Sequence, residues 1–124
     1  MRFILSILIY LLSLLYTQDH WETAIYAYDD WAYLVPETEP PSDWNTLDFD
    51  ESAWLTGPGG FGYGDNDDGT EINAAISVYF RSIFTVYDVS KLSVAIIHAD
   101  YDDGVVVYLN GSEIGRSNNL GNPG

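Results

Sequence analysis

Alternating and β-branched hydrophobic positions organise the second half of the chain. In residues 77–87, SVYFRSIFTVY, Val78, Phe80, Phe84 and Val86 fall on one face and Tyr79, Arg81, Ile83 and Thr85 on the other. That period of two predicts a strand. Asp88-Val89-Ser90-Lys91 reads as a turn, and residues 92–99 as the next strand. Val105 to Leu109 is a β-branched and aromatic run suited to a pleated, half-buried surface. Asn110-Gly111 then offers the two positive-φ residues of a type I′ turn, so this strand should fold back onto residues 112–116.

The first half is less regular. Residues 25–28 and 31–35 predict two short strands around an Asp29-Asp30 turn. Residues 36–42 carry three prolines and must be an extended loop. Residues 44–54 have no clean period and read as a loop or a single helical turn; residues 57–69, rich in glycine and acid, read as another loop, and 71–75 is ambiguous. No stretch after the N-terminal apolar run keeps a helical period over three turns. The pattern is all-β, an antiparallel β-sandwich with glycine- and proline-rich turns.

That N-terminal run changes the picture of where the protein works. Arg2 is followed by an apolar segment from Phe3 to Tyr16, then by polar Thr17-Gln18-Asp19. Its 14 residues fall short of the roughly 20 needed to cross a bilayer. A positive start and a short apolar core predict a secretory signal peptide over residues 1–17, hence a secreted or cell-surface protein without a transmembrane segment. About 107 residues remain for the domain at 18–124, enough for one small core. At the other end, LGNPG is loop sequence, and a sandwich ending just after a hairpin leaves an edge uncovered. The expectation is an incomplete sandwich, the N-terminal piece of a longer protein with downstream domains as its neighbours.

Charge narrows the partners. The formal net charge is −15, and without Arg2 only Arg81, Lys91 and Arg116 face the nineteen acids. Such a surface repels phosphate backbones, which argues against nucleic acid and anionic membrane. Divalent cations, neutral sugars and basic proteins stay open. The absence of cysteine removes thiol catalysis, cysteine-ligated zinc and disulfide support, so the fold must rest on its core, a metal or neighbouring domains.

Three segments, WNTLDFDESAWLTGPGGFGYGDNDDGTEI, SVYFRSIFTV and DYDDGVVVYLNGSEIGRSN, together resemble a jelly-roll module of the galactose-binding-domain-like class. Such modules stand near the N-terminus of large secreted bacterial proteins that carry CotH-like (spore-coat kinase-like), phosphoesterase or lamin-tail-like domains. With HWETAIYAYDDWAYLVPETEPPSDW leading in, the chain is most similar to those preceding a CotH-like domain. The resemblance spans residues 21–119 and implies a non-catalytic binding or spacing role. It implies no catalytic motif within these residues; an enzymatic domain, if the whole protein has one, would lie beyond residue 124.

Candidate chemistry gathers in the acidic loops. Asp65, Asp67 and Asp68, with Asn66, Gly69 and Glu71, offer carboxylates on a tight turn. Calcium takes about six to eight such oxygens. The spacing is not that of an EF-hand: with Gly69 as the sixth residue, the first would be Gly64 and the twelfth Ala75. The same residues also cap turns through their own backbone, without any metal. A second cluster, Asp100, Asp102 and Asp103, precedes Gly104. No aromatic cleft accompanies it, and no catalytic residues are assigned. Tyr63 and Tyr101, each beside an acidic loop, are the candidates to stack on a sugar ring, with Asp102 as a hydrogen-bonding neighbour. Trp54 reads as a core plug. Arg81, within an apolar strand, must meet a carboxylate, with Asp100, Asp102 and Asp103 as its expected partners, or serve a ligand at the sandwich rim. The sequence thus predicts an accessory module that recognises carbohydrate, with a calcium-stabilised spacer as the alternative.

Overall fold

Residues 30–34 can serve as a central strand because Trp31, Ala32, Tyr33 and Leu34 are apolar on both faces and half-buried. The computed structural model of the protein describes residues 20–64 and 66–121. In it β1 (Asp30–Leu34) is flanked by β2 (Leu55–Pro58) and β5 (Tyr79–Arg81), both antiparallel to it. Trp31 lies opposite Gly57 and Tyr33 opposite Leu55 on one side, while Ala32 lies opposite Arg81 on the other. A short parallel pair, β3 (Phe61–Gly62) with β4 (Thr70–Glu71), closes the acidic loop between them. The hairpin β6 (Val106–Leu109) and β7 (Ser112–Arg116) forms a third, separate ladder. The described residues are all-β, with one 3-10 turn, Val89–Lys91, and no α-helix. The expected signal peptide and Asp65 lie outside them.

The hairpin follows its sequence closely. Asn110 and Gly111 take φ of 49° and 83°, the positive values a type I′ turn needs at both central positions. Val107 faces Gly115 but Tyr108 faces Glu113, so Ile114 is an extra residue that bulges β7. The 88–91 turn is also as expected, with the Asp88 carboxylate accepting from the Ser90 backbone and hydroxyl at 3.1 and 2.6 Å.

Four segments differ from expectation. Residues 25–28 make a turn, because the Asp29 carboxylate takes the Tyr26 N–H at 2.8 Å and offers it an alternative to a ladder. Of residues 77–87 only Tyr79–Arg81 pairs, since β1 presents just Ala32, Tyr33 and Leu34 to it. Residues 92–99 run outside any ladder among the described residues. The segment 57–69, expected as loop, contributes the end of β2 and all of β3.

Aromatic rings do the joining. Trp44 is a hub: its ring centroid lies 4.9 Å from Tyr79 on β5, 5.6 Å from Tyr108 on β6 and 6.3 Å from Trp54. Phe49 meets Trp54 edge-on at 5.6 Å. Such ring pairs add about 0.5–1.5 kcal/mol beyond the area they bury. Phe61 sits between Tyr33 at 5.1 Å and Phe80 at 4.6 Å, tying β1, β3 and β5 together. These rings are half-buried or partly exposed. Among the described residues no hydrophobic side chain is fully buried, and the buried polar residues are Arg81 and Ser117. No helix among those residues is long and apolar enough to cross a membrane.

Candidate functional site: acidic loops, a clamped arginine and an acid-lined groove

Arg81 stands at the end of β5, opposite Ala32 of β1. Its side chain is only 8 % exposed. Nε donates to the Glu51 carboxylate, and Nη1 donates to the carbonyls of Trp44 and, at 2.9 Å, Thr46. The guanidinium also lies 5.2 Å from the Phe49 ring centroid, a cation–π distance. The carbonyl between those two, that of Asn45, accepts from Gly111 N at 2.8 Å. Three consecutive carbonyls of the 44–46 turn are thus held, two by β5 and one by the hairpin. Arg81 was expected beside Asp100, Asp102 or Asp103; the structure pairs it with Glu51 instead, from the turn that also carries Trp54. Sequence reasoning missed Glu51. The need for a carboxylate was readable from a cation in an apolar strand, but its identity depends on how the 44–54 loop packs over β5.

The first acidic loop is built around β3 and β4. Thr70 N donates to Gly60 O at 3.0 Å and Ile72 N to Gly62 O at 2.9 Å. Thr70 Oγ1 caps the end of β2 at Pro58 O, 2.6 Å away. Asp68 folds its carboxylate against Gly62, so closely that a Cβ there would collide with it. Its Oδ2 is buried without a hydrogen-bond partner among the described residues, a costly state for a carboxylate oxygen. Asn66 adopts a φ of 64°, as asparagine tolerates in turns. Of the candidate calcium ligands, Asp67 and Asp68 share this loop, Glu71 stands on β4, and Asp65 lies outside the described residues. Among the described residues no three histidine, cysteine or acidic side chains come together as a group able to hold a metal ion.

The second acidic loop rests on the C-terminal segment. Asn119 Nδ2 donates to Asp103 O at 2.7 Å, Ser117 N to Val105 O at 2.9 Å, and Val105 N to Ser117 Oγ at 3.1 Å. Ser117 is buried for this reason. These bonds fix the loop's base and leave Tyr101 and Asp102 exposed. Tyr63, next to the first loop, is 60 % exposed and Tyr101 50 %. Each tyrosine presents a ring with carboxylates near it in sequence; no ring contact joins the two.

A groove of about 430 Å³ opens where the end of β1 passes the start of β2 and the residues after β4. Leu34, Leu55 and Ile72 supply apolar walls, with Glu37 and Glu71 as its acids. Close by in sequence, Tyr79 donates its hydroxyl to Glu39 at 2.7 Å. Burial first, then the hydrogen bond and charge of Glu39, push the Tyr79 hydroxyl above its usual range.

Comparison of the chain with family models, with curated proteins and with solved structures finds no match.

Proposed function

We propose that this chain is a non-catalytic accessory module of an exported multidomain protein, of the jelly-roll class its sequence resembles, and that it recognises carbohydrate at its acidic loops. The supporting observation is the exposure of Tyr63 and Tyr101 beside those loops. An open aromatic face stacks on the apolar face of a pyranose, and nearby carboxylates, such as Asp102, accept hydrogen bonds from its hydroxyls. Arg81 takes no part in this reading, because its Nε and Nη1 donate inside the protein and its side chain is almost wholly buried. Stacking and short hydrogen bonds are insensitive to ionic strength, so retention on a polysaccharide should survive high salt. Replacing Tyr63 and Tyr101 together by alanine should abolish retention without unfolding the protein. If the double variant is retained like the wild type, the tyrosines are not the sugar site.

A second reading is favoured by a different observation. Ile83, Val94, Ile96 and Ile97 are each more than half exposed, and their backbones run outside any ladder. Apolar surface of this kind asks for a cover. On this reading the chain is an architectural spacer that packs against a neighbouring domain, with Ca²⁺ on the 65–71 loop as a stabiliser. It predicts no retention on any glycan, and loss of stability in the longer protein when the module is deleted.

A further inference from the structure

The groove between β1, β2 and the residues after β4 is lined by neither exposed tyrosine and has its own chemistry. Leu34, Leu55 and Ile72 form apolar walls, Glu37 and Glu71 add carboxylates, and Asn73 adds an amide. Among the described residues no lysine, arginine or histidine lines it. Neither carboxylate has a hydrogen-bond or ion-pair partner among the described residues. The whole chain carries −15, and two of its acids standing uncompensated at one groove attract a cation. A bare metal ion would neutralise the charge but leave the aliphatic walls in water. A neutral sugar would leave the charge. We propose that this groove docks an extended peptide segment in which a lysine or arginine stands between aliphatic residues.

Such a side chain matches the groove in both respects. Its methylene stem lies along apolar surface while its charged head stays at the wet rim. Glu37 comes from the loop after β1 and Glu71 from β4, so the groove offers the head carboxylates from two different elements; a guanidinium can meet one of them through two parallel hydrogen bonds. The volume, about 430 Å³, is at the small end of the range for ligand sites, which suits one side chain with parts of its neighbours. Charge complementarity sets which peptides dock and makes docking salt-dependent. In this it differs from the carbohydrate reading, which is salt-tolerant, so either can fail alone.

The test titrates the full chain against a fluorescent peptide of alternating leucine and lysine, following anisotropy at low and high salt. Binding is expected at low salt, weakened at high salt. The double variant Glu37→Gln with Glu71→Gln should raise Kd by about tenfold, the combined effect of two partly exposed ion pairs. A control double variant, Glu22→Gln with Asp48→Asn, makes the same change in net charge at residues outside the groove and should leave Kd unchanged. Amide NMR shifts on adding the peptide to the wild type should concentrate at Leu34, Leu55 and Ile72. Equal losses in both double variants, equal affinity for a serine–lysine peptide, or shifts spread over the acidic loops would each overturn the proposal.

Discussion

Arg81 shows how one residue can be legible in chemistry and illegible in geometry. A guanidinium in an apolar strand has to be paired, and it is; but three carboxylates close to one another in sequence were the expected partners and Glu51 is the actual one. Strand alternation tells which face a residue occupies, not which loop covers that face. Replacing Arg81 by methionine leaves Glu51 and the Trp44 and Thr46 carbonyls without their donor. It should cost about 3 kcal/mol in chemical denaturation, the low end for breaking a buried pair, because Glu51 keeps some contact with water. Lysine should recover only part of that, since an ammonium lacks the planar fork. A loss below about 1 kcal/mol would mean the clamp is not structural. At Tyr79 the folded pKa is raised, so the protonated hydroxyl is the favoured form. The stability it contributes is full below the unfolded value near 10 and is lost as pH rises through the folded value. Glu39→Gln removes the hydrogen-bonded charge and leaves the burial. Tyrosine-resolved NMR titration should show Tyr79 moving back toward the ordinary value without reaching it; no movement would mean that Glu39 does not act on it.

Among the elements, the hairpin was readable because its turn is specified locally: Asn110-Gly111 carries the positive φ values whatever the rest of the fold does. Replacing Gly111 by valine puts a β-branched residue at φ 83°, and its Cβ would stand 3.4 Å from the Thr46 methyl. The expected loss is about 1–3 kcal/mol by thermal or chemical unfolding. An unchanged melting curve would contradict the turn assignment. The Ile114 bulge was not readable, since nothing in SEIGR distinguishes a bulged strand from a regular one. The opposite failure occurred at residues 77–87 and 92–99, where clean apolar patterns predicted strands and only Tyr79–Arg81 finds a ladder. A strand needs a neighbour, and periodicity cannot supply one. The 65–71 loop carries the metal question. If Ca²⁺ binds there, adding it at millimolar concentration should raise the melting temperature, and Asp67→Ala should abolish the rise. No shift would leave a loop held by its own hydrogen bonds.

For the whole molecule, charge and aromatic content were legible from composition, and their arrangement was not. Trp54, expected as a core plug, does meet other rings at Trp44 and Phe49, and a second ring cluster forms at Phe61, but both are only partly buried. Tyr63 and Tyr101, the candidates to stack on a sugar ring, are exposed. The carbohydrate reading and the spacer reading part over a single observable. A glycan-array screen of the protein in high salt tests this most directly. The account predicts retention of at least one class of neutral glycan by the wild type, and none by the Tyr63→Ala, Tyr101→Ala double variant with its fold intact. Absence of retention across the array would contradict the carbohydrate claim and leave the spacer reading in its place.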